Sequence, residues 1–267
     1  MDTDYDFRFG GVRRLYGQTT TARFKQGHIV VIGIGGVGSW SVEALARSGV
    51  GRLTLIDLDD VCTSNINRQI HALDGTVGQP KIEVMAERAR LIHPGIEVTC
   101  CHGFITADNL DQRLPGDADV IIDAIDNVEA KSALINYCKR RKRPLVVTGG
   151  AGGLIDPTRV QRADLSRTEH DPLLAKVRYQ LRRSYGFTRN PKRSFGVRCV
   201  YSDEQRRYPD GQGETCASKS GLGDSTRLDC AAGFGAATFV TGSFGFAAAA
   251  LALELLDRNA PTQETDS

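Results

Sequence analysis

The residues most able to do chemistry lie between Gly33 and Lys81. Gly33-Ile34-Gly35-Gly36-Val37-Gly38 comes first, then Asp57 and Asp59, then Asn65 and Arg68, then Lys81 after Pro80. A glycine-rich turn ahead of a helix presents N–H groups and a positive dipole end to a phosphate. An aspartate at the end of the next strand can accept ribose hydroxyls. Arginine forks and lysine ammonium groups suit a triphosphate. Taken in order, these residues describe a nucleotide site with cations where ATP would be attacked.

The elements around these residues support that chemistry. His28 to Ile32 is a short β-branched run that stops at glycine, as a buried parallel strand does. Gly36 to Gly49 carries Val37, Trp40 and Leu45 at helical spacing, and Leu53 to Ile56 is a second strand ending at Asp57. A Gly-x-Gly-x-x-Gly sequence by itself also fits a dinucleotide site or an unrelated glycine turn. The flanking strand and helix, with Asp57 beyond, point to a Rossmann-like unit. Arg68 and Lys81 favour ATP over NAD, unless both are solvated surface residues, the usual fate of such side chains. Further on, Ala118 to Asp123 forms another strand with acidic ends. Asp123 and Asp126 are then placed to reach a magnesium ion bridging phosphates, and Asp126 could also serve as a helix N-cap.

Strands are expected at about 28–33, 52–57, 96–101, 119–123 and 144–148, with helices between them, including 79–93 and 127–142. This alternation predicts an α/β, doubly wound, mainly parallel sheet with an elaborated C-terminal half. We read 1–267 as one domain, with an ATP-binding half over 1–150 and a substrate-facing and dimerisation half over 151–267. Thr148 to Gly153, with four glycines, is expected to line the crevice. A hairpin is expected from 153–155 and 159–163, and a mobile, substrate-facing region from about 165 to 225. Ala231 to Leu253 carries no charge and is long enough to cross a membrane. Its glycines and hydroxyl residues favour a buried helix instead, with weak membrane association left open.

Composition excludes little: 40% hydrophobic and 25% charged residues in 267, with a net charge of +2, are ordinary for a soluble globular chain. The seven cysteines are odd in number, form no Cys-x-x-Cys pair and follow an acidic, polar N-terminus. A reducing cytoplasm is therefore expected, with no disulfide framework and no structural zinc. Cys199, Cys216 and Cys230 lie in the C-terminal half, and their simplest role is that of small buried hydrophobes. From Lys176 to Arg198 there are eight cations and no carboxylate, interleaved with Tyr179, Tyr185, Phe187 and Phe195. Lys139 to Arg143 is a second basic run. Each suits either a solvated surface or a nucleic-acid contact.

Gly-x-Gly-Gly-x-Gly, Asp57-x-Asp59, Ser64-Asn65-x-Asn67-Arg68-Gln69, Gly78-x-Pro80-Lys81 and Asp126-Asn127, in this order, resemble the ubiquitin-activating-like adenylyltransferase superfamily. Arg8 to Gly11, Arg14 to Gly17, Asn67 to Leu73, Thr148 to Gly153 and Asp229 to Thr238 resemble one branch of it, the tRNA threonylcarbamoyladenosine dehydratase family. The resemblance implies ATP and Mg2+ as cofactors and tRNA bearing threonylcarbamoyladenosine in its anticodon loop as substrate. The implied reaction activates the threonyl carboxylate as an acyl-adenylate, and the substrate's own ureido group then closes a ring. The roles it implies put Gly33, Gly35, Gly36 and Gly38 at phosphate and Asp57 and Asp59 at the nucleotide. Asn65, Arg68 and Lys81 would hold the phosphates, Asp126 the metal, and Arg14 would reach a partner's site across a homodimer. It also leaves room for a sulfur-acceptor or cysteine-desulfurase-system partner. With tRNA implied, the basic stretch is expected to touch RNA. The competing reading is adenylation of a ubiquitin-like sulfur carrier, which the missing zinc cysteines disfavour.

Overall fold

The structure is a computed structural model that describes residues 3–210, 214–216 and 234–258. Three helices, α1 (Thr3–Arg8), α2 (Gly10–Tyr16) and α3 (Gln18–Gln26), lead into β1 (His28–Ile32). There follow α4 (Gly38–Arg47), β2 (Arg52–Asp57), α5 (Lys81–Ile92), β3 (Glu97–His102), α6 (Leu110–Arg113), β4 (Val120–Asp123), α7 (Val128–Arg140) and β5 (Leu145–Thr148). The second half supplies β6 (Val160–Asp164), α8 (Pro172–Ser184), β7 (Arg198–Ser202), a small pair β8 (Tyr208–Pro209) and β9 (Thr215–Cys216), and α9 (Thr238–Arg258).

Seven strands form one sheet in the order β3-β2-β1-β4-β5-β7-β6. All neighbours are parallel except β6, which runs antiparallel to β7. The five strands expected in the first half are present within a residue or two of their expected ends. Chain order reverses between β1 and β4, and in such sheets ligands bind outside the strand C-termini at that point. Apolar residues fill both faces. On one, Val42, Leu45, Met85 and Phe244 from α4, α5 and α9 cover β1 and β2. On the other, Leu134, Leu174, Val177 and Leu181 from α7 and α8 cover β4 and β5.

One expectation for the second half is corrected. The 153–155 and 159–163 segments do not form a hairpin. Residues 157–159 form a short 3-10 turn, and β6 pairs with β7 instead, Val160 opposite Ser202. Asp156 and Pro157 gave a turn signal, but the turn feeds a strand whose partner lies forty residues on. Of the region expected to be mobile, residues 165–210 and 214–216 carry defined structure, and 211–213 and 217–225 lie outside the described residues. Asp171 caps α8 by accepting from Leu174 N at 3.0 Å, and Leu174, Val177 and Leu181 are fully buried. The density of basic residues masked that apolar stripe.

The apolar C-terminal segment is a core helix from Thr238 onward, with 67% of its most apolar stretch buried. It packs against α4 through small residues. Trp40 lies over Gly242 and Gly245, and the Ser41 hydroxyl donates to Gly245 O at 3.1 Å. A Cβ on Gly245 would fall 2.6 Å from Trp40 Cβ and 2.7 Å from Val37 O. Backbone cannot retreat as a side chain can, so Gly245→Val should destabilise the fold by about 3 kcal/mol or more, read as a lower urea midpoint with an unchanged slope.

Candidate active site

The glycine turn between β1 and α4 is held by close backbone packing. Gly33 adopts φ +85°, and a Cβ there would lie 2.8 Å from Ala124 O on the neighbouring strand exit. A Cβ on Gly38 would lie 1.8 Å from Gly33 O. Only glycine fits either place. Gly35 has open space in front of it, with Gln69 Nε2 the nearest atom at 3.9 Å, whereas Gly36 rests near Thr241 and Arg68. Asp57 clasps the turn: one carboxylate oxygen accepts from Ile34 N at 2.5 Å and the other from Asp59 N at 2.8 Å. Each oxygen keeps lone pairs for a further donor, so Asp57 can organise the turn and still meet a ribose.

Past β2 the chain brings the cations to the same crevice. Asn65 is buried, and its side-chain oxygen accepts from Cys62 N at 3.0 Å, which fixes the short turn 63–65. Arg68 is half-buried. Its guanidinium donates to Ser64 O at 2.7 Å and Asn67 Oδ1 at 3.0 Å, and it meets no carboxylate among the described residues. Its carbonyl accepts from Trp40 Nε1 and Thr241 Oγ1, tying it to α4 and α9. Lys81 departs from expectation in its burial. At 6% exposed it lies inside, its ammonium 2.7 Å from Asp59 Oδ2, while Asp59 itself is exposed. Lys81 and Asp59 therefore enter the site as a pair. His71 carries no sequence signal that marks it as a site residue. It is 1% exposed, and burial first and the nearby Lys81 ammonium second push its pKa down to about 4.

At the end of β4 the two aspartates part company. Asp126 is exposed at the crevice. The α7 N-cap is Asn127, which accepts from Ala130 N at 3.0 Å, so Asp126 is not the cap. Asp123 is fully buried and paired with Lys131 at 2.9 Å, also fully buried, and cannot reach a metal in the crevice. Burial pushes the Asp123 carboxyl up and the Lys131 ammonium pulls it back. Removing one partner of such a pair costs about 3–5 kcal/mol, because the other is left charged and alone.

Beside Asp126 opens a cleft that sequence reasoning located only in part. The 149–153 glycine segment forms one wall, as expected, and the first turns of α8 form another. Arg206 locks that wall. Its guanidinium donates to Gly150 O and Gly152 O and lies 3.2 Å from Asp171 Oδ2, which also accepts from Gly150 N at 2.9 Å. Glu204 holds the continuation, accepting from Ile155 N and Asp156 N. No motif or periodicity announces Arg206, since its role depends on a contact fifty residues away.

Arg14 is exposed on α2, which packs chiefly on α1 and α3, and makes no hydrogen bond to the crevice among the described residues. Cys199 is buried, and burial raises its thiol well above the ordinary value, as suits a core residue. Cys216 lies on β9, and Cys230 falls outside the described residues. In the basic stretch, Lys176, Arg183, Arg189, Lys192 and Arg193 are exposed. Phe195 is buried, and Arg182 sits over its ring at 5.3 Å, so these two are structural rather than base-stacking. Tyr179 remains 61% exposed. The second basic run ends α7, which packs against α8, and the Lys139 ammonium reaches Gly196. The two runs therefore share one flank.

A glycine turn at the switch point, with an arginine, a paired lysine and an exposed aspartate around it, defines a nucleotide-binding α/β protein of the adenylating type. The sequence model of the ThiF family matches residues 11–266, and the chain belongs to that family. It is 53% identical over 256 residues to the tRNA threonylcarbamoyladenosine dehydratase of Escherichia coli (strain K12), covering 96% of each chain. It is 51% identical over 253 residues to the Haemophilus influenzae protein of the same name, covering 95% and 94%. Among solved structures it superimposes on TcdA (CsdL) with a TM-score of 0.87 and 50% identity, covering 96% of each chain. Against the E. coli dehydratase in complex with ATP the TM-score is 0.84 at 49% identity, again covering 96% of each.

His71 gives the site a pH signature. Its folded pKa of about 4 lies below the ordinary value of 6.5, so the unfolded chain binds the proton more tightly. Stability from this group is complete above pH 6.5 and is lost as pH falls toward 4, by about 3 kcal/mol in all. Urea unfolding of the wild type and His71→Gln at pH 7.5 and pH 4.5 should show a smaller pH dependence in the variant.

Proposed function

We propose that the chain is an ATP-dependent tRNA threonylcarbamoyladenosine dehydratase. The observation that carries this reading is identity above 50% over 96% of the E. coli dehydratase, joined to a crevice in which the glycine turn, Asp57, Arg68, Lys81 and Asp126 converge. In this reading the threonyl carboxylate attacks the α-phosphate of ATP, giving an acyl-adenylate and pyrophosphate. The ureido group of the same substrate then attacks the activated carbonyl and expels AMP. The net change in the nucleoside is loss of water. An enzyme thioester is unnecessary because the attacking group is already tethered to its target.

The residues divide the work. N–H groups of the glycine turn and the α4 N-terminus receive phosphate. Asp57 positions ribose while keeping the turn closed. Arg68 and Lys81 meet the charge that develops on the phosphates, with Lys81 exchanging its contact with Asp59 for phosphate. Among the described residues no three His, Cys, Asp or Glu side chains cluster as a protein-only metal site. One exposed carboxylate beside a triphosphate fits magnesium, which is usually held by one or two carboxylates plus phosphates. Asp126 would hold it, and it would supply positive charge to phosphate oxygens. Arg14, exposed on α2, fits a role across a homodimer interface. A tRNA substrate fits a cytoplasmic location. Activation of a sulfur-carrier protein would share the ATP half and differ only in the acceptor.

Arg68 offers the cleaner test of the phosphate role, because Lys81→Ala would also strip Asp59 of its buried partner. Arg68→Ala should lower turnover by a hundredfold or more, on the order of 3 kcal/mol of transition-state stabilisation, with little change in melting temperature. The readout is mass spectrometry of nucleosides from tRNA incubated with enzyme and ATP, scoring loss of one water. Near-normal turnover would remove Arg68 from the chemistry.

The exposed flank should bind RNA backbone. Changing Arg183, Arg189, Lys192 and Arg193 together to Glu should weaken tRNA binding while sparing ATP binding. The slope of log affinity against log salt should flatten by roughly 0.7–0.9 for each phosphate that is no longer neutralised. Equal affinities at two salt concentrations would return this flank to solvent.

A further inference from the structure

The cleft beside Asp126 has no assigned role in the nucleotide site. It is walled by Val128, Leu173, Phe234, Lys176 and Arg206, with the glycine segment completing it. Three properties fix what it can hold. It opens next to Asp126, so a group bound there lies beside the triphosphate side of the crevice. Its walls mix apolar surface from Val128, Pro172, Leu173 and Phe234 with the cations of Lys176 and Arg206. Arg206 is 6% exposed and paired with Asp171, and its buried Nε–H has no acceptor among the described residues. The exposed Lys176 ammonium in the same lining attracts an anion.

A small group with one carboxylate and a short branched side chain matches this lining. We propose that the cleft binds the threonyl arm of the modified nucleoside, with the Lys176 ammonium holding its carboxylate and Val128 and Leu173 packing its methyl group. Arg206 is a positioning residue. It holds the carbonyls of Gly150 and Gly152 so that the wall keeps its shape. This assignment rests on the proposed dehydratase reading and adds to it the pocket that selects the substrate arm. Lys176 sits on α8, whose capping aspartate also grips Gly150. The helix carrying the exposed cations is thus the one that shapes the arm pocket.

The test compares two anticodon stem-loops that differ only in bearing threonylcarbamoyladenosine or plain adenosine, without ATP. The wild type should bind the modified RNA more tightly. Lys176→Met, at an exposed position, should lose tenfold or more in affinity for the modified RNA and little for the plain one. In turnover assays its KM for modified tRNA should rise while its KM for ATP holds, and Lys176→Arg should recover much of the loss. Val128→Phe, which narrows the cleft, should raise the KM for modified tRNA in the same way. Equal losses on both RNAs would assign Lys176 to backbone contact and overturn the proposal, as would unchanged discrimination in both variants. A wild type that dehydrates the tRNA while the variants match it sinks the pocket alone. A wild type that never removes water sinks the dehydratase reading first.

Discussion

Everything in this crevice depends on two pieces of backbone being nearly in contact. Gly33 O lies where a Cβ of Gly38 would be, and Gly33 itself is pressed against Ala124. That packing draws the turn after β1 against the exit of β4, which is where Asp126 emerges. The Asp57 carboxylate fastens the same turn to the end of β2 through Ile34 N. The groups proposed to meet phosphate, ribose and metal come from three different strand ends, and one glycine turn sets the distances among them. A methyl group at either glycine would separate all three.

The second constraint is electrostatic. Charged side chains buried around this turn come in matched sets: Lys81 with Asp59, Lys131 with Asp123, and Arg206 with Asp171. The three differ in purpose. Lys131 and Asp123 are sealed and hold α7 to β4. Lys81 faces an exposed partner, so a stronger anion can take it over. Arg206 spends its donors on carbonyls and shapes a wall. Burial alone would have ranked these cations together, and partner exposure separates them.

Much of the fold was legible in the sequence because its signals are local. A β-branched run ending in glycine gives β1, alternating elements give the parallel sheet, and small residues in an apolar helix give α9. The glycine turn and Asp57 were legible for the same reason. Long-range pairings were not. Val160 to Asp164 carries a turn before it, but only the sheet shows that its partner is β7. Asp123 and Asp126 look alike three residues apart, and only the position of Lys131 tells the buried one from the one facing the crevice. The sequence reads Lys81 as a phosphate cation or a solvated one, and neither reading shows its burial or its pairing with Asp59. Arg206 leaves no local trace at all. In the basic stretch, charge concealed Leu174, Val177 and Leu181, whose spacing builds α8.

The place of α9 in the chain has a consequence for how the protein is made. It is the last described element, yet it packs on α3, α4 and four strands of the sheet. Contacts this distant in sequence close large loops and form slowly. Until α9 arrives, the face of the sheet beside α4 is open, and Trp40 and Phe244 lack one another's helices. A nascent chain carrying the complete nucleotide turn therefore still exposes a broad apolar surface. Docking of α9 must come before the ATP site can rest on a closed core.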